Sequence, residues 1–244
     1  MNLRLRLLPD DPRAPFPAVE SALREPDGLL AIGGDLSPAR LLNAYTQGIF
    51  PWYSDGQPIL WWSPDPRIVF RTAGGVRLSA RFRRALRKSP WVVRADTAFA
   101  EVIGACARTP RRDQGGTWIT GDMEAAYIEL HRLGHAHSVE VFEGDRLVGG
   151  VYGVAIGRMF FGESMFSGET GGSKVALAGL GHRLREWGWP LIDAQVANPH
   201  LMSMGADYVS RADFVLLLQH LTAMQGYEGS WTFEFGDLEA SIFA

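Results

Sequence analysis

The segment Leu191–Val196 carries two polar side chains whose types and spacing fit chemistry on a substrate amine. Read as a strand, it alternates with a period of two, so Asp193 and Gln195 share one face about 6.5–7 Å apart. A buried carboxylate is costly unless it meets a cation or hydrogen-bond donors. We consider two roles for the pair: a catalytic site whose partner is a substrate amine, or a structural anchor for the next loop.

A second acid lies within Phe160–Phe166, a segment that otherwise contains aromatic residues, methionine, glycine and serine. An acid on such a strand is costly unless it meets a cation or donors. We therefore expect Glu163 to lie beside the strand of the Asp/Gln pair. Val151, Met165 and Leu180 are candidates for an apolar pocket next to it, although residues of this kind are more often ordinary core.

Two of the eight tryptophans, Trp52 and Trp118, stand in loop-like segments where burial is not assured. Exposed aromatic rings close to a basic surface can stack on unpaired bases. Packing between domains is the simpler explanation if no basic surface is near. The choice between the two explanations therefore depends on the distribution of charge.

Positive charge is concentrated between Pro66 and Ala95, a segment that contains nine basic residues and no acid in a chain of net charge −3. Such segregation indicates a local site for a polyanion. Within it, a helix is predicted from Ser79 to Lys88. Four of the nine lie near one stripe at helical spacing: Arg77, Arg81, Arg84 and Lys88. A solvated helix face is the alternative.

Other motifs that could carry chemistry fail on detail. Gly168–Lys174 has the wrong order and spacing for a Walker phosphate loop, and no CoA-pyrophosphate loop opens the next helix. His131, His135 and His137 straddle a helix end without further ligands, so we expect no metal. The single cysteine, Cys106, sits in an apolar stretch and rules out an internal disulfide, which fits a reducing compartment.

The elements that position these residues are predicted from turns and periodicity. The first 65 residues are rich in turns, with one short apolar strand and a helix capped by Ser37. A proline-punctuated aromatic stretch follows, so we place a domain boundary near Pro64–Arg67. The sequence thus predicts a small domain over residues 1–65 and a larger one over residues 66–244.

The larger domain changes character after Ser138. Three antiparallel strands are predicted at Val139–Phe142, Arg146–Ile156 and Met159–Phe166, followed by a helix from Ser173 to Trp187. The Asp/Gln strand, a short helix, another strand and a final helix over residues 212–224 complete the chain. This order is that of an acyltransferase-type α+β layer, in which a splayed sheet binds an activated acyl donor.

Hydropathy indicates a protein without a membrane partner. The amino terminus interleaves charge with leucine, so it has no uninterrupted signal-peptide core. No apolar run reaches the roughly 20 residues that span a bilayer. We expect a cytoplasmic protein.

Taken together, these residues resemble the leucyl/phenylalanyl-tRNA–protein transferase family. The resemblance runs from about residue 20 to about residue 218, in the family's order. It rests on five segments: Gly28–Leu36, Gly48–Trp52, Trp61–Arg67, Gly162–Ser167 and Leu191–Gln195. It implies an α+β fold in which a small N-terminal α/β domain packs on an acetyltransferase-like (GNAT-type) C-terminal domain with a mostly antiparallel sheet.

The resemblance also implies an activity: transfer of Leu or Phe, with Met as a further candidate, from aminoacyl-tRNA to proteins that begin with Arg or Lys. The product would be marked for proteolysis in the bacterial N-degron pathway. By motif position, Asp193 and Gln195 match a catalytic relay and Glu163 an acidic active-site residue. Trp52 and Trp118 match the residues that hold the terminal adenosine of the tRNA. Three further positions match the side-chain pocket: Val151, Met165 and Leu180.

The chemistry of an aminoacyl ester agrees with this interpretation. The ester is already activated, so amide formation needs no ATP, metal or cofactor; it needs positioning and removal of a proton from an α-amine of pKa about 7.7–8.0. Asp193 can hold Gln195, whose carbonyl accepts a hydrogen bond from the amine, either as a true base or as an electrostatic anchor. Two other functions fit the same features: an aminoacyl-tRNA-dependent peptide ligase acting on a cell-wall precursor, and a non-enzymatic tRNA-binding module.

Overall fold

The computed structural model describes residues 5–109 and 118–244, which form a mixed α+β fold with two sheets. The smaller sheet belongs to the amino-terminal part and has the strand order β1-β2-β4-β3. Strands β1 and β2 are parallel, and the other neighbours are antiparallel. Its elements are β1 (Arg6–Leu8), β2 (Leu29–Gly33), α1 (Pro38–Tyr45), β3 (Phe50–Pro51) and β4 (Leu60–Trp62).

Helix α1 begins and ends where its sequence signals predict. The Ser37 side chain accepts a hydrogen bond from the amide of Arg40, and Pro38 occupies the first turn, where no amide hydrogen is needed. Gly48, with φ of 74°, lets the chain turn back after the helix. The last helical residue, Tyr45, is fully buried and reaches into the interior of the molecule.

The larger sheet has eight strands in the order β11-β5-β10-β9-β8-β7-β6-β12. Its one parallel pair is β9 with β10, so the sheet is mostly antiparallel. The strands are β5 (Arg67–Arg71), β6 (Trp91–Ala95), β7 (Ala136–Glu143), β8 (Arg146–Ile156), β9 (Met159–Ser167), β10 (Leu191–Gln195), β11 (Asp207–Val209) and β12 (Leu238–Glu239).

Helices cover both faces of this sheet, and the sheet separates two hydrophobic clusters. Phe161 packs in the cluster shared with α1, α3, α4 and α7, whereas its neighbour Phe160 packs in the cluster beneath α5 and α8, as strand alternation requires. Within the described ranges, no helix is both long and apolar enough to cross a membrane. The helices are α2 (Ala80–Leu86), α3 (Phe99–Arg108), α4 (Gly121–Arg132), α5 (Gly172–Glu186), α6 (Pro199–Ser203), α7 (Arg211–Thr222) and α8 (Thr232–Phe235).

The predicted three-stranded meander is confirmed as β7, β8 and β9, and the predicted helix of the basic segment is confirmed as the shorter α2. Two predictions were incomplete. Strand β6 was not foreseen, and α7 is not the last element, because α8 and β12 follow it and β12 pairs with β6. The sequence also predicts a polar loop over residues 108–116, most of which lies outside the described residues.

A β-bulge in β9 sets the position of Glu163. Tyr152 of β8 faces Ser164 and Gly153 faces Gly162, so Glu163 is the extra residue that has no partner on β8. Gly153 is required here, because a Cβ at this position would lie 2.0 Å from the carbonyl oxygen of Phe161. The bulge therefore directs an acid out of the regular alternation of the strand.

A second bulge lies at the end of β10. Asp193 faces Val69 of β5 and Gln195 faces Ile68, which leaves Ala194 as the extra residue. The parallel pairing of β10 with β9 ends at Asp193, so the two strands are unpaired beyond that point. The predicted alternation thus fails at the end of β10, and both bulges adjoin one gap in the sheet.

Candidate active site

A cavity of about 510 Å³ opens where β9 and β10 cease to pair. Its walls combine carboxylate and amide groups with aromatic and aliphatic side chains. The side chains on its wall that could take part in a reaction include Glu163, Asp193, Gln195, Asn198 and His200. The apolar and aromatic lining includes Phe50, Trp52, Phe70, Trp118, Val151, Met165, Leu177 and Leu201. A cavity lined by both polar and apolar groups suits a substrate that has polar and apolar parts.

The carboxylate of Asp193 is held by the guanidinium of Arg67. The Nε and Nη2 groups of Arg67 donate to Oδ1 and Oδ2 of Asp193 at 2.8 and 2.7 Å. Both side chains are buried, so the pair forms a desolvated two-point contact of the kind that guanidinium and carboxylate groups make best. Of the two roles considered for Asp193, this contact favours the structural anchor over a direct partner of a substrate amine.

Arg67 is itself fixed on three sides. Its Nη1 group donates to the carbonyl oxygen of Gly48 at 3.0 Å. Its guanidinium lies between the rings of Phe50 and Phe214, 4.8 and 4.7 Å from their centroids. Arg67 therefore joins the amino-terminal part of the chain, α7 and the Asp193 strand. It does not belong to the basic surface in which its sequence position placed it.

Asp193 positions Gln195 through the backbone. The amide of Gln195 donates to Oδ1 of Asp193 at 3.0 Å, and Gln195 adopts φ of 54°, a left-handed conformation that costs a non-glycine residue energy. The contact fixes this strained turn. The Gln195 side chain then leaves the strand and donates from Nε2 to Glu163 Oε1 at 3.1 Å. The predicted proximity of Glu163 to the Asp/Gln strand is thereby confirmed.

Glu163 is surrounded by hydroxyl groups. Its Oε1 lies 2.7 Å from the hydroxyl oxygen of Tyr45, and its Oε2 lies 3.0 Å from that of Tyr127. The two tyrosine hydroxyls are also hydrogen-bonded to each other. Glu163 is partly exposed, and it lines the cavity. The site therefore presents a carboxyl group to the cavity while two buried hydroxyls contact it from behind.

The pKa of Glu163 is raised to about 7, mainly by burial and to a smaller extent by the nearby carboxylate of Asp193. Hydrogen bonds from Tyr45 and Tyr127 and the charge of Arg67 act in the opposite direction. Burial and the Glu163 charge raise the pKa of both tyrosine hydroxyls well above their usual range. At neutral pH the tyrosines are therefore protonated, and Glu163 exchanges its proton near neutrality.

Two of the three residues predicted for an apolar pocket line the cavity, namely Val151 and Met165. The third, Leu180, does not; it is fully buried in the core beneath α5. Leu177, almost one helical turn earlier on α5, faces the cavity instead. The sequence identified the correct helix but not the residue, because the register of α5 against the sheet depends on packing between distant segments.

Trp52 and Trp118 both line the cavity, although they come from distant parts of the sequence. Trp118 is largely buried, whereas Trp52 is partly exposed. The carbonyl oxygen of Trp52 accepts a hydrogen bond from Trp62 Nε1 at 2.6 Å, and the rings of Trp52 and Trp62 lie 5.6 Å apart. The amino-terminal sheet therefore holds one of the two tryptophans against the cavity of the larger sheet.

The four basic residues predicted as a stripe are all exposed: Arg77, Arg81, Arg84 and Lys88. In the part of the chain that the structure describes, none of them forms an ion pair within 4 Å, whereas Arg71 and Arg94 of the same segment pair with Asp207 and Asp237. Arg77 precedes α2 and donates its amide to the carbonyl oxygen of Met204, just after α6. The basic surface thus begins beside a helix that lines the cavity.

Two of the three histidines considered as metal ligands, His131 and His137, are held by structural contacts. His137 Nδ1 lies 2.8 Å from Asp96 and its ring stacks on Trp231 at 3.9 Å, while His131 Nδ1 lies 2.8 Å from the carbonyl oxygen of Ala136. Over residues 5–109 and 118–244, no three acidic, cysteine or histidine side chains gather as a metal site would require. These residues fasten the carboxyl-terminal segment to β7.

Sequence reasoning missed three residues of the site: Arg67, Tyr45 and Tyr127. Arg67 was counted with the basic segment, although it directly precedes the apolar run Ile68–Phe70, where a charged side chain has to find an acid. The two tyrosines occupy the apolar faces of α1 and α4. Buried tyrosine hydroxyls need partners, and Glu163 was an acid without one.

Comparison with known proteins identifies one family. Residues 69–219 match a family model described as leucyl/phenylalanyl-tRNA protein transferase, and residues 34–65 match the model of that family's N-terminal domain. A leucyl/phenylalanyl-tRNA–protein transferase of Xanthomonas euvesicatoria pv. vesicatoria (strain 85-10) is 69% identical over 228 residues, covering 93% of this chain and 91% of the relative. The protein of that name from Xylella fastidiosa (strain 9a5c) is 60% identical over 231 residues, covering 95% of each chain.

Among the solved structures that match is that of a functionally unknown conserved protein from Staphylococcus epidermidis ATCC 12228. It aligns with a TM-score of 0.40 and 10% identity over 75% of this chain and 68% of that chain. A likeness of this size carries no conclusion about fold or function. The family matches are of a different order, because they cover the cavity, the acid and amide on its wall, and both tryptophans.

Proposed function

Because the chain belongs to the leucyl/phenylalanyl-tRNA–protein transferase family and is therefore an aminoacyltransferase, we propose that it transfers Leu or Phe from aminoacyl-tRNA to proteins beginning with Arg or Lys. Met is a further candidate donor. The acceptor is the N-terminal α-amine, and the product enters N-degron proteolysis in the cytoplasm. The observation that carries this proposal is the Gln195–Glu163 hydrogen bond on the wall of a cavity that two tryptophans and an apolar pocket also line.

Gln195 is suited to orient the attacking amine. Its Nε2 group is engaged by Glu163, so its side-chain carbonyl is left to accept a hydrogen bond from the amine in the cavity. Asp193 acts as an anchor, since its two oxygens already accept bonds from Arg67 and from the Gln195 amide. Holding the nucleophile in this way supplies the positioning on which transfer from an activated ester depends.

The donor is bound by the aromatic and apolar walls. Trp52 and Trp118 offer ring surfaces to the terminal adenosine, because base stacking on aromatic side chains does not depend on sequence. The aminoacyl side chain enters the pocket formed by Val151, Met165 and Leu177. The side chains of these three residues carry no strongly polar group that would recognise a hydroxyl or amide, so the pocket favours a hydrocarbon side chain that is aromatic or not branched at Cβ.

The exposed basic surface is suited to the acceptor stem of the tRNA. Its four cations lack acidic partners among the described residues, so they remain available for phosphate groups. Backbone contacts serve several tRNAs of different sequence equally well, since they read charge and helical shape. The four residues of this surface are Arg77, Arg81, Arg84 and Lys88.

We extend the proposal to the domain organisation. Residues 1–65 form a small domain that packs on an acetyltransferase-like (GNAT-type) domain of residues 66–244. Support comes from the parallel pair β9 and β10, which separates at Asp193 and leaves a gap where the acyl donor is expected to bind. Tyr45 and Trp52 of the small domain complete the cavity region of the large one.

The test is transfer of labelled Leu or Phe from charged tRNA to a peptide that begins with Arg. The expected product is the same peptide with one additional residue at its amino terminus. An N-acetylated copy of the peptide is the matched control, because it keeps the side chains and lacks the nucleophile. Gln195→Ala should slow transfer by roughly 100-fold or more without unfolding the protein. Absence of product with the unaltered protein would refute the proposal.

The family description names a protein as the acceptor, so the cell-wall peptide ligase is not carried forward. A non-enzymatic tRNA-binding module is likewise set aside, since the family is one of transferases. The assay with charged tRNA separates these functions in any case, because only the proposed one extends the peptide at its amino terminus.

A further inference from the structure

Three oxygen-bearing groups form a closed ring at the back of the cavity. The hydroxyls of Tyr45 and Tyr127 are hydrogen-bonded to each other, and each also lies within hydrogen-bond distance of one oxygen of Glu163, at 2.7 and 3.0 Å. Three contacts thus connect three groups. Both tyrosines are fully buried, so no bulk water completes their hydrogen bonding.

Counting hydrogens shows what this ring requires. Each hydrogen bond contains one hydrogen, and a tyrosine hydroxyl supplies one. Tyr45 and Tyr127 together supply two hydrogens for three contacts. The third must come from Glu163, so the ring is fully bonded only when this carboxyl group is protonated. In that state Oε2 donates to Tyr127, Tyr127 donates to Tyr45, and Tyr45 donates to Oε1.

The position of Gln195 agrees with a proton on Oε2. Its Nε2 group donates to Oε1, the oxygen that also accepts from Tyr45 in the closed ring. A carbonyl-type oxygen has two lone pairs and accommodates both donors. When Glu163 is ionised, both tyrosines can still donate to it, but their mutual contact then lacks a hydrogen. The ring therefore takes up one proton and has no place for a second.

From this geometry we propose that Glu163, Tyr45 and Tyr127 hold the proton removed from the acceptor, so that Glu163 is the base of the transfer reaction. The inference rests on the proposed function, in which an α-ammonium group enters the cavity. One N–H of that group donates to the carbonyl of Gln195. Another donates to Glu163, which lies next to Gln195 and is partly exposed to the cavity.

The step balances without any further reagent. An N–H bond of the ammonium breaks and an O–H bond forms on Glu163. The freed amine attacks the ester carbonyl, and the C–O bond to the ribose breaks. A second proton leaves the nitrogen and ends on the ribose oxygen, which departs as a hydroxyl. The products are an amide, an uncharged tRNA end and protonated Glu163, which returns its proton to solvent.

The groups around Glu163 adjust its proton affinity for this task. Tyr45 and Tyr127 approach it from α1 and α4, Asp193 lies on β10 and Arg67 on β5. Burial raises the pKa of Glu163 to about 7, close to the pKa of about 7.7–8.0 of an α-amine. Proton transfer between groups of similar pKa needs little driving force, which is the condition for efficient base catalysis near neutral pH.

The experiment compares two acceptors that differ in charge. One peptide begins with Arg and carries an ordinary α-amine; the other carries an aminooxy nitrogen in its place, which is uncharged at neutral pH. Single-turnover transfer from Phe-tRNA is followed with the unaltered protein and with Glu163→Gln. We expect Glu163→Gln to slow transfer to the ordinary peptide by about 100-fold or more, and to the aminooxy peptide by about tenfold or less.

Tyr45→Phe and Tyr127→Phe supply a second readout through the pH profile. Each removes one hydroxyl that contacts Glu163, so the midpoint of the rate should shift relative to that of the unaltered protein. Tyr53→Phe is the matched control, since the hydroxyl of Tyr53 lies 3.4 Å from Thr120, outside the ring, and its loss should leave the profile unchanged.

Equal losses on both acceptors, or tyrosine variants with an unshifted midpoint, would overturn the proposal and leave Glu163 with a positioning role. Failure of the unaltered protein to extend the ordinary peptide would instead refute the proposed function. Thermal unfolding of each variant shows that it is folded. A preserved rate of Glu163→Gln on the aminooxy peptide makes the same point with the active site itself.

Discussion

The guanidinium of Arg67 grips the carboxylate of Asp193 through two hydrogen bonds, although 126 residues separate them in the chain. The contact joins neighbouring strands of the large sheet, and both side chains are buried. Asp193 in turn holds the Gln195 amide. The position of Gln195 therefore depends on an arginine that is not among the residues lining the cavity.

Removal of either partner of this pair should be costly. Arg67→Met or Asp193→Leu leaves an uncompensated buried charge, so each should lower the free energy of unfolding by about 3–5 kcal/mol. The double variant should regain much of this loss but not the transfer activity, because Gln195 has lost its anchor. Urea unfolding and single-turnover rates measure the two effects. Arg71→Met is the control, since its pair with Asp207 is exposed; single variants at Arg67 or Asp193 as stable as this control would contradict the prediction.

The pocket residues should govern the choice of amino acid. Met165→Ala and Leu177→Ala enlarge the cavity and should change the relative rates for Leu, Phe and Trp by about 1–3 kcal/mol of discrimination. Leu180→Ala removes a core side chain and should instead lower stability by about 2–5 kcal/mol while the relative rates stay as they are. Competition between differently charged tRNAs measures the ratios. A change of ratio in Leu180→Ala alone would place the pocket deeper under α5.

The basic surface should be visible in the salt dependence of tRNA binding. Replacing Arg84 and Lys88 by Ala should flatten the plot of log affinity against log salt, by somewhat under one unit for each lost contact. All charged tRNAs should weaken about equally. Transfer from aminoacyl-adenosine, which has no stem, should be spared. Arg132→Ala, an exposed arginine that pairs with Glu129 on α4, is the control. Equal losses on both donors would show that Arg84 and Lys88 support the active site or the fold.

Stability should depend on pH through Glu140. Burial raises the pKa of this residue to about 7, with Asp96 nearby, whereas the unfolded chain has its ordinary value near 4.5. Between these values the folded state holds a proton that the unfolded state releases, so stability falls as pH rises and levels off above about 7. Glu140→Gln should remove much of this slope. Urea unfolding from pH 5 to 8 measures it, and Glu143→Gln, on the partly exposed end of β7, is the control.

Much of the local structure was predictable because it is encoded locally. The cap at Ser37, the stop at Gly48 and the strand–turn–strand signals of β7 to β9 are each contained in a few consecutive residues. Strand β6 was missed because Trp91–Ala95 is short and includes a charged residue that disrupts the alternation. Its pairing is made by β7 and β12, which are distant in sequence.

The polar residues of the site could be predicted from the sequence, but the residues that they contact could not. Asp193, Gln195 and Glu163 were singled out because burying a polar group in an apolar strand costs free energy unless the group is hydrogen-bonded. That Arg67 compensates Asp193 could not be read from the sequence, since nine cations compete for the assignment. The bulges at Glu163 and Ala194 were equally hidden, because they result from pairing between strands, and they decide which side chains reach the cavity.

The ring at Glu163 has a consequence for incomplete chains. Tyr45 comes from α1, which precedes the boundary between the two sheets, while its two partners come from elements beyond it. A fragment that starts after that boundary keeps the basic helix and the amide of Gln195 but lacks one link of the ring. By the proposed function, such a fragment should still bind charged tRNA but should not discharge it.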